Sequence, residues 1–133
     1  MSSNPNIQPL LDICVLYVED EEIIQTAVHE FLSFRVRKII LARNGKEGLD
    51  AFMKETPDLV ITDIKMPLMN GIVMSEEIRS LAPKIPIIIT TAYNETEFLL
   101  SAREIGINDF LIKPLNLNKF SELLEKYARE KGV

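Results

Sequence analysis

The sequence predicts an α/β domain, a doubly wound parallel sheet of five strands alternating with five helices. Three observations predict it. Five short apolar runs of strand length are spaced along the chain, most of them rich in β-branched residues. The segments between and after them repeat their apolar residues at helical spacing. Four of the five runs end, on their C-terminal side, in residues able to do chemistry. Strands alternating with helices, joined by right-handed crossovers, give a parallel sheet covered on both faces. Ligands of such sheets bind in the crevice outside the carboxyl ends of the strands.

Each element has its own justification. Ile13-Cys14-Val15-Leu16-Tyr17-Val18 is a continuous apolar run, terminated by Glu19-Asp20-Glu21-Glu22. The first helix follows, with Ile24, Ala27, Val28, Phe31 and Leu32 in helical register and Asp20 placed to cap it. Glu21 and Glu22 suit the positive end of that helix, which accounts for them fully. Ile39-Ile40-Leu41-Ala42 is the second strand, and Asn44 with Glu47 has capping-box spacing ahead of Leu49, Phe52 and Met53. This helix should stop before Thr56-Pro57. Leu59-Val60-Ile61-Thr62-Asp63 is the third strand, broken by Pro67 and the Asn70-Gly71 turn signal. A helix from about Ile72 to Leu81 is closed by Pro83. Pro86 to Thr91 is the fourth strand, whose apolar part gives way to hydroxyls. Asn94 and Glu97 repeat the capping-box pattern, opening a helix with Phe98, Leu99, Ala102 and Ile105 inward and Gly106 beyond its end. Asp109 to Ile112 is the fifth strand, ended by Lys113-Pro114. The last helix starts near Asn116, with Leu117, Phe120, Leu124 and Tyr127 on one stripe.

A chain of 133 residues fits one domain, and residues 1–12 read as a flexible arm ahead of a domain over 13–133. With 47% hydrophobic and 26% charged residues and a net charge of −5, it has no basic cluster dense enough for direct nucleic-acid binding. Cys14 is the only cysteine and lies in an apolar run, so core packing and a reducing compartment are expected. No apolar segment approaches the roughly 20 residues of a membrane span. The polar start Met1 to Asn6 lacks the regions of a secretory signal, so a cytoplasmic, membrane-free protein is expected.

The strand ends together deliver Glu19 and Asp20, Asp63, Thr91, and Lys113. A carboxylate at one strand end is ordinarily a helix cap or a solvated loop residue. Four matching strand ends, two with carboxylates and two with Thr91 and Lys113, reverse that presumption. Three carboxylates brought close repel one another unless a cation joins them, and hard oxygen donors select Mg2+ or a similar ion. Phosphoryl transfer fits this set: Asp63 as nucleophile, with the Lys113 ammonium and Thr91 hydroxyl facing the equatorial oxygens. His29, the only histidine, sits beside a helix stripe and cannot make the chain its own histidine kinase. Met66 and Met69 read as loop packing over the site at least as well as a partner surface.

The sequence resembles the receiver domain of two-component response regulators. The matching pieces are Val18-Glu19-Asp20-Glu21, Asp63-Ile64-Lys65-Met66-Pro67-Leu68-Met69-Asn70-Gly71, Thr91-Ala92 and Lys113-Pro114, spanning Ile13 to the C-terminus. Each is weak alone, but the ordered set is specific. The resemblance implies a flavodoxin-like sheet in the order 2-1-3-4-5. It implies that Asp63 accepts a phosphoryl group from a phosphohistidine of a sensor kinase or histidine phosphotransfer protein. It gives Mg2+ to Glu19, Asp20, Asp63 and the backbone carbonyl of Lys65. Thr91 and Phe110 become switch residues, Lys113 the partner of the phosphoryl group, and the Lys113-Pro114 bond a common cis site. Glutamate at position 19 and phenylalanine at position 110 replace a frequent aspartate and tyrosine. Lys65 and Tyr93 stand where the lifetime of the acyl phosphate is tuned.

The implied role is a signalling switch, not an enzyme beyond phosphoryl transfer to its own Asp63 and slow self-dephosphorylation. The output would be a downstream protein target or effector domain, with a homodimer through helix four, strand five and helix five as a further option. Whether the chain acts alone or belongs to a hybrid kinase or larger regulator stays open. A magnesium-dependent aspartyl-phosphate phosphatase would typically carry an aspartate where Lys65 stands. A flavodoxin-like nucleotide module would need a hydroxyl- or glycine-rich loop after strand one, where four carboxylates repel bare phosphate.

Overall fold

The computed structural model describes residues 9–92 and 95–132. Five strands, β1 (Leu11–Val18), β2 (Val36–Ala42), β3 (Leu59–Asp63), β4 (Ile87–Thr91) and β5 (Asp109–Ile112), alternate with five helices. The helices are α1 (Glu22–Ser33), α2 (Gly45–Glu55), α3 (Gly71–Leu81), α4 (Thr96–Glu104) and α5 (Leu117–Lys131). The strands form one sheet in the order β2-β1-β3-β4-β5, every pair parallel. This is the expected doubly wound, flavodoxin-like sheet with its order reversing between β1 and β3.

The period of two along a strand sorts side chains onto the two faces. Ile13, Val15 and Tyr17 of β1, with Leu59 and Ile61 of β3, Ile88 and Leu111, meet Val28 and Leu32 of α1 and Phe120, Leu123 and Leu124 of α5. Leu16, Val18, Val60, Ile87 and Ile89 turn the other way, against Phe52 of α2, Met74 and Ile78 of α3 and Ala102 of α4. Run one step past the strand ends, the α1/α5 face carries Glu19, Asp63 and Lys113. The strands thus aim the chemistry to one side.

Several boundaries differ from the sequence reading. β1 begins at Leu11 rather than Ile13, because the Leu11 N–H bonds the Arg35 carbonyl at 2.7 Å and draws the chain onto β2. β2 starts at Val36, three residues before the apolar run; it is an edge strand, so exposed Arg37 and Lys38 are accommodated there. Asp20 is not the cap of α1: Glu21 holds the N-cap position without a side-chain cap bond, and Asp20 points to solvent. Asn44, Asn70 and Asn116 do cap, each accepting from a backbone N–H three residues on. Ala27, Met53 and Leu117, expected on inward stripes, are exposed, because each helix buries a narrower face than its apolar content suggests. Asn94, of the expected α4 capping box, lies outside the described residues, as do Tyr93 and residues 1–8. Glu95 is the N-cap of α4. Gly106 follows α4 at φ +85, and Lys113-Pro114 is cis.

Candidate functional site

β1 and β3 are neighbours, so their C-terminal ends bring Glu19, Asp20 and Asp63 together, with one carboxylate oxygen of each within 4.8 Å of the others. β3 is buried along its whole length, and Asp63 is 5% exposed. Its Oδ1 accepts from the Ile64 N–H at 2.8 Å, and its Oδ2 accepts from the Lys113 Nζ at 2.8 Å. Both oxygens are therefore oriented. Gly71 explains how the loop closes so tightly behind this residue, since a Cβ there would lie 1.9 Å from the Asp63 carbonyl oxygen. The Gly71 N–H also bonds the Ile64 carbonyl at 2.7 Å. The Asn70-Gly71 pair is thus a cap and a close approach at once.

Glu19 is buried and its oxygens are engaged. Oε2 accepts from the Glu21 N–H at 3.2 Å, while Oε1 faces the Lys113 Nζ at 3.5 Å and the Tyr17 hydroxyl at 3.4 Å. Burial first, and then the charge of Asp63, push the Glu19 carboxyl up to about 7. Burial alone would lower the Lys113 ammonium, but the hydrogen bond and charge of Asp63, with Glu19 behind them, leave it above its ordinary value. One ammonium thus serves two of the three carboxylates. Oxygen-only donors, clustered, partly desolvated and open to solvent at Asp20, have the chemistry of a Mg2+ site that keeps several waters. The residues fit that ion.

The remaining candidates divide into two groups. Thr91 is brought to the end of β4, beside the strand that ends in Asp63, and its carbonyl accepts from the Lys113 N–H at 2.8 Å. Its hydroxyl, however, donates to the Ala92 carbonyl at 3.2 Å and has no hydrogen bond to Asp63 among the described residues. Phe110 is half-buried on the opposite face, packed with the α2–α4 core and 6.0 Å from the Arg103 guanidinium. Lys65 is exposed, its ammonium 5.9 Å from the Phe98 ring. Met66 and Met69 are half-buried in that same core, so they pack the loop. His29 is exposed.

Two residues of this region were invisible as such in the sequence. Tyr17 lies within an apolar run, and only its register beside Glu19 reveals the hydroxyl contact. Glu95 is buried, one oxygen accepting from the Ala92 N–H at 2.9 Å, the other without a partner among the described residues. A glutamate one residue before a helix gives no signal of burial. Cys14, expected in the core, is half-buried as a free thiol, with its N–H donating to Asp58.

The profile of the response regulator receiver domain matches residues 15–125. The chain is 33% identical over 118 residues to the Regulator of RpoS of Escherichia coli strain K12, covering 88% of this chain and 35% of that protein. It is 35% identical over 115 residues to the Transcriptional regulatory protein ZraR of the same strain, covering 86% of this chain and 26% of that protein. The chain thus spans about a third and about a quarter of the length of these two curated relatives. Among solved structures, the N-terminal domain of an uncharacterized protein from Wolinella succinogenes superposes with a TM-score of 0.85 at 30% identity, over 90% of this chain and 96% of that one. A response regulator receiver domain protein from Clostridium thermocellum superposes with a TM-score of 0.83 at 27% identity, over 89% and 95%. Among the described residues no helix is long and apolar enough to cross a membrane. With its sheet order, its acidic cluster and its matched profile, the chain belongs to the response regulator receiver domain family of two-component signal transduction.

Proposed function

We propose that Asp63 is the phosphoacceptor of this receiver domain, taking a phosphoryl group from a phosphohistidine of a sensor kinase or histidine phosphotransfer protein. The observation that carries this is the buried Asp63 carboxylate, oriented by Ile64 N–H and Lys113 Nζ within a cluster of two further carboxylates. An Asp63 oxygen forms the new O–P bond as the P–N bond to the donor imidazole breaks, and the imidazole keeps the electron pair. Lys113 then follows the charge, from the carboxylate to the phosphoryl oxygens. Glu19, Asp20, Asp63 and the Lys65 carbonyl would hold Mg2+, which supplies charge neutralisation for the developing phosphoryl oxygens. Thr91 would rotate its hydroxyl from the Ala92 carbonyl toward the phosphoryl group. Phe110 would change rotamer as Thr91 moves, altering the face formed by α4, β5 and α5. That face would meet the downstream target or effector domain, or a second copy in a homodimer. The domain works as a switch; dephosphorylation is its slow reset.

Intact mass after incubation with acetyl phosphate tests this. The expected result is a single phosphate adduct that needs Mg2+, is removed by hydroxylamine and is absent from Asp63→Asn. A folded wild type that gains no adduct with Mg2+ present would contradict the phosphoacceptor role.

A further inference from the structure

We propose that Tyr17 is a positioning residue of the metal site, holding the Glu19 carboxylate where it can bind a divalent cation. This rests on the reading of Glu19 as a ligand. Residues two apart on a strand share a face, so β1 places the Tyr17 side chain directly behind that of Glu19. The tyrosine ring is fully buried among Ile61, Ile88, Phe120 and Leu124. A phenol in such surroundings needs an acceptor, and its one hydrogen bond among the described residues goes to Glu19 Oε1. An aliphatic side chain would fill this space with no polar atom to satisfy. The hydroxyl is useful only to the carboxylate.

Glutamate reaches further than aspartate and has one more torsion to fix. Oε2 is fixed by the Glu21 N–H, whereas among the described residues Oε1 has only Tyr17 and Lys113. Lys113 is the less constant of the two, because it already sits on Asp63 at 2.8 Å and would follow the phosphoryl group. Tyr17 stays. Its 3.4 Å separation is long for such a bond, and it shares Oε1 with an ammonium, so the hydroxyl guides the carboxylate rather than clamping it. Losing an outer partner of a metal ligand typically weakens binding by roughly 10- to 100-fold.

Titration with Mg2+, followed by amide shifts in NMR, tests the proposal on Tyr17→Phe. The expected Kd rises roughly tenfold, at the low end of that range, while the thermal midpoint shows the variant folded. Glu19→Asp supplies the second arm, because the shorter side chain withdraws the carboxylate from the hydroxyl. In that background Tyr17→Phe should change Kd by less than about twofold. An unchanged Kd in Tyr17→Phe, or an equal loss in both backgrounds, would overturn the positioning role. A wild type with no saturable Mg2+ shifts would remove the metal reading itself, and this inference with it.

Discussion

The two halves of the sheet are built differently. β1 and β3 are sealed between helices, with every residue of β3 buried and the site carboxylates continuing their inward alternation. β5 has four residues, of which Leu111 alone is buried and Ile112 is half exposed, and α4 buries only Ala102. On the proposed function, the contrast separates two tasks. Chemistry needs groups held within a fraction of an ångström, which packing against both faces supplies. A conformational readout needs elements that shift for little free energy, and few buried apolar contacts supply that. Thr91 stands on the boundary, buried like β3 but with its hydroxyl turned to its own loop.

Substitutions that strike the sealed half should therefore cost most. Gly71→Ala forces a Cβ against the Asp63 carbonyl and should cost about 3 kcal/mol or more, measured by urea unfolding. Ile88→Ala opens a cavity in the filled α1/α5 face of the sheet and should cost about 2–5 kcal/mol. Leu100→Ala, on the outer side of α4 and 66% exposed, should change stability by about 0.5 kcal/mol or less. Equal losses at Ile88 and Leu100 would erase the proposed division.

Proton linkage sharpens the same comparison. The Glu19 carboxyl is raised from 4.5 to about 7 in the metal-free fold, so the folded state holds a proton that the unfolded chain releases. Its contribution to stability is full below the lower value and is lost as pH rises through the upper one. On the proposed metal site, bound Mg2+ would offset that loss by compensating the charge. The gain in thermal midpoint on adding Mg2+ should thus be larger at about pH 7.5 than at about pH 5.5, and the difference should shrink in Glu19→Gln. At Gly106, φ of +85 with open space around it makes Gly106→Ala cost about 1 kcal/mol from backbone strain alone, between the losses expected at Ile88 and Leu100.

The sealed half was also the more legible. Its strands are continuous apolar runs, and Glu19, Asp20 and Asp63 could be placed from the residues at which those runs stop, as Thr91 and Lys113 could at the ends of β4 and β5. What the sequence hid depended on contacts across the fold. Val36, Arg37 and Lys38 do not read as strand because an edge strand tolerates charge. Asp20 reads as a cap because a short carboxylate just ahead of a helix is the usual capping side chain, whereas Glu21 holds that position in the fold. Tyr17 reads as core because its hydroxyl acquires meaning only from the Glu19 rotamer, and Glu95 as surface because its burial comes from the loop it closes.

The most direct measurement is hydrogen–deuterium exchange of the wild type and Asp63→Asn, with Mg2+, before and after acetyl phosphate. In the wild type, exchange should change in α4, β5 and the first turn of α5 while β1 and β3 stay protected, and Asp63→Asn should show no change. A change spread evenly over the sheet, or one that persists in Asp63→Asn, would contradict a rigid reacting half coupled to a softer reporting half.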